Sequence, residues 1–180
     1  MSSSTAILQP ATGVSRLLLS SPVGPLMAEY TEAGLRALHF WPDGAHPPAG
    51  TRVEPAREDA LGWRIAEQLR EYFTGARRDF DLPLAAEGTA FQRRVWAALA
   101  RIPAGETRSY GQVAAELGSP GSSRAVGQAN RRNPLPIVVP CHRVLAADRS
   151  LGGYAGSWGA DGDSAAIKRW LLRHEGAPGW

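Results

Sequence analysis

Cysteine and lysine are almost missing from this chain: Cys141 and Lys168 are the sole examples among 180 residues. One cysteine cannot close an internal disulfide, so nothing points to an oxidising compartment, and a multi-cysteine zinc site is excluded. No apolar run approaches the ~18 residues of a membrane span, so no membrane partner is expected. The opening stretch, MSSSTAILQP, has no basic segment followed by a long apolar one. No secretory leader is expected there, and the stretch reads as a flexible tail. Neither a metal nor a cofactor is expected, and the cytoplasm is the default location.

What is present is an ordinary globular composition, 43% hydrophobic and 21% charged, with a net charge of +3. The basic side is almost wholly arginine. Arginine suits planar recognition of phosphate and base edges, although a compositional bias of the genome accounts for the same excess equally well.

The first third reads as short strands. Apolar runs at 17–19 and 35–40 flank two turn signals, SPVG at 21–24 and EAG at 32–34. EPAREDALGWRIAEQLREYFTG then reads as a helix, with Leu61, Ile65, Leu69 and Phe73 recurring every four residues and Gly75 as terminator. ARRDFDLPLAAEG reads as an extended linker, which places a boundary between an N-terminal α/β domain with a small antiparallel sheet (1–84) and a mostly helical domain (88–180). In the second part, Thr89 caps a helix that packs Phe91, Val95, Trp96 and Leu99 and ends by Pro103. Ser109 opens another helix, closed at Gly118. Residues 121–131 form a third, and DGDSAAIKRWLLRHEG the last, capped by Asp163 or Ser164 and ended by Gly176.

The pair 109–117 and 121–131 has the spacing of a helix-turn-helix. Spacing alone favours a plain helical hairpin. The second helix shifts that balance, because Ser122, Ser123, Arg124, Gly127, Gln128, Asn130, Arg131 and Arg132 make a poor core face and a good face for phosphates.

A lone cysteine is usually a small buried hydrophobe. Cys141 instead sits in IVVPCHRV, after a proline and directly before His142. An imidazole beside a thiol can hold it as thiolate or take its proton through a water. Adjacent side chains rarely point the same way, so the water relay is the better expectation. A third group would orient the imidazole; spacing alone does not single out Glu175 among 17 acidic residues.

PCHRV after NPLPIVV, with RAVGQANRRNP and GTAFQRRVWAALARIPAGETRSYGQVA upstream and GGYAG and KRWLLRHEG downstream, resembles the O6-alkylguanine-DNA alkyltransferases, also called methylated-DNA–protein-cysteine methyltransferases. The likeness is dense over 70–176 and loose before it. It implies direct-reversal DNA repair. The protein would bind duplex DNA in the minor groove, flip out O6-alkylguanine and move the alkyl group irreversibly to its own cysteine, once per molecule. O4-alkylthymine is a second candidate substrate. The resemblance makes Cys141 the acceptor, His142 its base, Glu175 the carboxylate that orients His142, Asn133 the brace of the turn before the cysteine and Tyr110 the proton donor to the departing guanine. Arg124 would fill the space of the flipped base, with Ser122, Ser123, Gln128 and Arg131 on DNA. Tyr154, Pro136, Ala155, Gly156 and Trp158 would line the alkyl pocket. A monomer acting on double-stranded DNA, cytoplasmic or nucleoid-associated, follows.

One stretch departs from the family pattern. SWGADGDSAAI, between GGYAG and KRWLL, is longer than expected and reads as a loop over 157–166, with Trp158 covering part of the pocket. Three rival readings remain. A lesion-binding protein of the alkyltransferase-like kind would lack the cysteine, a dimeric transcription regulator would need a dimerisation helix, and a Cys–His–Glu hydrolase would turn over many times.

Overall fold

The computed structural model describes residues 13–151 and 164–180. Three strands, β1 (Ser15–Leu19), β2 (Leu26–Thr31) and β3 (Gly34–Phe40), form an antiparallel sheet in the order β1-β2-β3. Helix α1 (Ala60–Phe73) follows. The remainder is helical: α2 (Ala90–Leu99), α3 (Tyr110–Glu116), α4 (Ser123–Arg131) and α5 (Ser164–Glu175). Between them, β4 (Arg108–Ser109) and β5 (Val144–Leu145) pair in parallel. The expected class holds: a small antiparallel sheet first, helices after.

Local chemistry explains the helix starts. Thr89 and Ser109 each accept from the backbone N–H three residues on, while Gln92 and Gln112 return the favour to the cap N–H. Asp59 caps α1 by accepting from Gly62 N. Gly75, Gly118 and Gly176 take left-handed φ values of 79°, 73° and 77°, just past α1, α3 and α5. Helix α2 stops at Leu99, before Pro103.

Two features go beyond the expected pattern. The buried face of α1 follows the four-residue recurrence only in part. Ile65, Leu69 and Tyr72 are buried, whereas Leu61 and Phe73 are only half-buried. A repeat of four overshoots the helical period by about 40° per step, so the stripe drifts off the core and the next inward position is 72. The extended 76–88 segment is also hydrogen-bonded to the sheet. Leu35 N donates to Pro83 O at 2.8 Å, and Ala85 N donates to Leu35 O at 2.8 Å. The segment therefore covers the open edge of β3. Only glycine permits this approach at position 34, where φ is 137° and a Cβ would lie 2.3 Å from Pro83 O.

Both edges of the sheet are covered, which removes a template for unwanted strand pairing. Arg52 exchanges hydrogen bonds with β1 (Leu18 N to Arg52 O 2.8 Å, Arg52 N to Arg16 O 3.0 Å). On β3, Leu38 N donates to Pro134 O at 2.8 Å. That bond ties the sheet to the loop that leads into Cys141. One hydrophobic core runs from Leu17 and Leu35 on the sheet through Tyr72 on α1 to Val95, Val126, Cys141 and Leu171.

Candidate active site

The approach to the cysteine is fixed by a tight, buried loop. Asn133 Oδ1 accepts from Leu135 N at 3.0 Å, and its Nδ2 donates to Val139 O at 2.7 Å. One side chain thus spans the PLPIVV run from both ends. Val139 N closes the loop onto Leu135 O at 2.7 Å, and Pro136 is buried within it. Ile137 sits at φ 71°, a left-handed conformation that a β-branched residue adopts only under constraint. The loop delivers Cys141 to the start of a single 3₁₀ turn, Cys141–Arg143. Asn130 of α4 donates to Cys141 O at 3.4 Å. Cys141 is 2% exposed.

The 3₁₀ turn sends His142 and Arg143 to the end of α5. Both are buried, as is Glu175. His142 Nε2 lies 2.9 Å from Glu175 Oε1. Arg143 donates Nε to Oε2 and Nη2 to Oε1, both at 2.8 Å, in a bidentate pair. Its Nη1 donates to Ile102 O. Burial opposes ionisation of Glu175, but the hydrogen bonds from His142 and Arg143 and the Arg143 charge hold it well below the usual carboxylate range. His142 moves down from its ordinary value because burial disfavours the imidazolium, although Glu175 works against the shift. Arg143 is therefore the counter-ion of Glu175, and His142 is neutral at rest. With Nε2–H donated to a carboxylate, the neutral ring carries its lone pair on Nδ1. Nδ1 is buried and has no protein partner among the described residues.

Tyr110 reaches the same place from another element. The two-residue ladder pairs Arg108 with Val144 and Ser109 with Leu145. It fixes the start of α3 against the strand that follows the 3₁₀ turn. Burial, then the charge of nearby Cys141, raises the Tyr110 phenol. Cys141, His142, Glu175, Asn133 and Tyr110 therefore lie together.

Arg124, Gln128 and Arg131 lie on the exposed face of α4, opposite buried Val126 and Ala129. Among the described residues none forms an ion pair with Arg124 or Arg131. Ser122 and Ser123 are half-buried, and Ser122 Oγ donates to Ser119 O at 2.7 Å. Tyr154, Ala155, Gly156 and Trp158 lie outside the described residues. Of the expected 157–166 loop, residues 164–166 are the first turn of α5.

Three buried side chains escaped the sequence reading. Arg143 stood in plain view in PCHRV. Lys168 donates Nζ to Val144 O and Leu151 O, both at 2.6 Å. Burial lowers it to about 8, with Cys141 opposing. Its signal was its uniqueness and its place two turns before Glu175, on the same face of α5. Tyr72 of α1 donates to Glu175 Oε1 at 2.8 Å. His174 bonds Tyr72 O through Nε2 at 2.6 Å. Among the described residues no group of three His, Cys, Asp or Glu side chains could hold a metal ion. Among those residues, too, no helix is long and apolar enough to cross a membrane.

Comparison with known proteins places the chain in a family. Residues 16–86 match the family model for the ribonuclease-like domain of 6-O-methylguanine DNA methyltransferase, and residues 90–177 match the model for its DNA binding domain. The methylated-DNA–protein-cysteine methyltransferase of Methanosarcina acetivorans is 43% identical over 163 residues, covering 89% of this chain and 97% of that one. The constitutive enzyme of Bacillus subtilis is 56% identical over 141 residues, covering 69% and 82%. The crystal structure of Mycobacterium tuberculosis O6-methylguanine methyltransferase superposes with a TM-score of 0.75 at 39% identity, covering 93% of this chain and 97% of that one. A structure of M. tuberculosis OGT in complex with DNA gives 0.74 at 39% identity, covering 92% and 96%. The chain belongs to the 6-O-methylguanine DNA methyltransferase family, a class of methylated-DNA–protein-cysteine methyltransferases that repair DNA by direct reversal.

Proposed function

We propose that this chain binds duplex DNA as a monomer, flips O6-alkylguanine out of the stack from the minor groove, and transfers the alkyl group to Cys141. The observation that carries the reading is the buried Glu175–His142 pair, which leaves the Nδ1 lone pair of His142 for the neighbouring thiol. A water takes the thiol proton to Nδ1, and Glu175 stabilises the imidazolium so formed. The Cys141 sulfur attacks the alkyl carbon. One S–C bond forms as the C–O6 bond breaks, and the electron pair stays on the guanine. Tyr110 donates a proton to the departing base and is re-protonated from the pool that His142 feeds. The thiol has lost one proton and the guanine has gained one. A thioether has no easy reversal, so each molecule acts once.

DNA contact falls to α4. Its exposed face presents Arg124, Gln128 and Arg131, with Ser122 and Ser123 at its start. Flipping costs a few kcal/mol of stacking and pairing. Arg124, which has no ion-pair partner among the described residues, fills the vacated space and needs no base-specific contact. Pro136, in the loop before Cys141, lines the alkyl pocket. The test is intact mass after mixing with a duplex that carries one O6-methylguanine. The expected gain is one methyl group, mapped to Cys141 by peptide digestion. An unchanged mass, or methyl on another residue, refutes the reading. The same assay on O4-methylthymine reads the second candidate substrate.

A further inference from the structure

Helix α1 carries one side chain into the buried site from the far part of the sequence. Tyr72 is fully buried. Its hydroxyl donates to Glu175 Oε1 at 2.8 Å, while its carbonyl is bonded by His174 Nε2 at 2.6 Å. The ring stands edge-on to His174 at 5.2 Å and packs beside Phe73 and Phe80. The last two residues of α5 are thus both held by one residue of α1. A core tyrosine at this position could be replaced by phenylalanine without loss if filling space were its whole task. The aim of its hydroxyl at the carboxylate that holds His142 argues for more.

We propose that Tyr72 is a positioning residue of the alkyl-transfer site, through which the N-terminal part of the chain sets how firmly Glu175 holds His142. The proposal rests on the functional reading above for its consequence, and on the hydrogen-bond geometry for its cause. Glu175 Oε1 receives three donors: Tyr72 O–H, His142 Nε2–H and Arg143 Nη2–H. Donors that share one oxygen compete for its electron density, so each weakens the others. Burial and the charge of Glu175 push the Tyr72 phenol far above its usual value, so it is always a donor here. Without its hydroxyl, Oε1 serves His142 and Arg143 alone. The carboxylate becomes more basic and holds the imidazolium more strongly, and Cys141 then gives up its proton at lower pH.

The other charged and titratable groups facing this network stay in place. They are Arg143 on the 3₁₀ turn and Lys168 on α5, both of which disfavour the imidazolium, Tyr110 on α3 beside Cys141, and His174 and Arg78 beside Tyr72.

The experiment uses the full chain, in which Cys141 is the sole thiol. Alkylation by iodoacetamide is followed against pH in the wild type and in Tyr72→Phe, alongside methyl transfer from an O6-methylguanine duplex. In Tyr72→Phe the midpoint of thiol reactivity moves to lower pH, on the order of half a unit, while the acid limb of methyl transfer, set by protonation of His142, moves to higher pH. A second protein carries 3-fluorotyrosine at position 72, a stronger donor of unchanged shape, and its midpoint moves the opposite way. Midpoints that coincide in all three proteins, or shifts of the reverse sign, overturn the proposal and leave Tyr72 as packing. If the wild type gains no methyl from the duplex, the functional reading fails, while the iodoacetamide profiles still decide the role of Tyr72.

Discussion

Replacing Glu175 by glutamine removes one charge from a buried site. Glu175 and Arg143 are 5% and 4% exposed and share two hydrogen bonds of 2.8 Å. In Glu175→Gln the guanidinium stays buried with no counter-charge, and the new amide group faces donors from Tyr72, His142 and Arg143. Breaking a buried ion pair from one side costs about 3–5 kcal/mol, against a total stability of about 5–15 kcal/mol. With a typical urea dependence, the unfolding midpoint falls by roughly 2 M. The assay is urea denaturation at pH 7 of the wild type, Glu175→Gln, Arg143→Met and the double variant. The double variant costs less than the sum of the singles, because it leaves no orphaned charge. Methyl transfer is lost in Glu175→Gln even under conditions where the variant is folded, since the imidazolium loses its partner.

Stability falls in two stages as pH drops. His142 titrates in the fold below its ordinary 6.5, so the unfolded chain takes up its proton first and stability declines as pH falls below that value. Glu175 titrates in the fold below its ordinary 4.5. Its contribution is complete above that value and is lost as pH falls further. The lower component disappears in Glu175→Gln. A loss under about 1 kcal/mol at pH 7, or strict additivity in the cycle, would refute this account of the network.

Arg124→Ala slows transfer from duplex DNA by about tenfold or more, the equivalent of about 1.4 kcal/mol of the flipping cost. Reaction with free O6-benzylguanine is unaffected, and equal loss on both substrates would place Arg124 in the chemistry instead. Lys168, lowered to about 8 from 10.5, sheds its proton in the fold before the unfolded chain does. Stability therefore rises with pH between 8 and 10, by up to about 3 kcal/mol. Lys168→Met abolishes that rise in urea midpoints measured across the window. A pH slope that persists in the variant assigns it to another group.

Short-range chemistry was the legible part of this chain. Thr89 and Ser109 were readable as caps because a hydroxyl three residues before a glutamine satisfies its own helix end. Gly75, Gly118 and Gly176 were readable as helix ends for the same local reason. Cys141 and His142 were readable from PCHRV, while Asn133, Tyr110 and Glu175 needed the family resemblance. What stayed hidden depends on contacts across the sequence. The register of α1 drifts from a four-residue stripe, so Tyr72 was overlooked. The 76–88 segment is polar enough to read as a linker, and its role as cover for β3 exists only once Gly34 lets Pro83 approach. Arg143 and Lys168 are cations, which sequence assigns to the surface, and only the buried carboxylate and carbonyls of their partners bring them inside.

Turnover number tests the central claim most directly. The protein is mixed with a large excess of duplex carrying O6-methylguanine, and restored guanine is counted per molecule. The expected result is one guanine per protein, after which the reaction stops with Cys141 as a thioether. Several guanines per protein would contradict it and point to a hydrolytic cysteine. None, with the duplex still bound, would make the chain a lesion sensor.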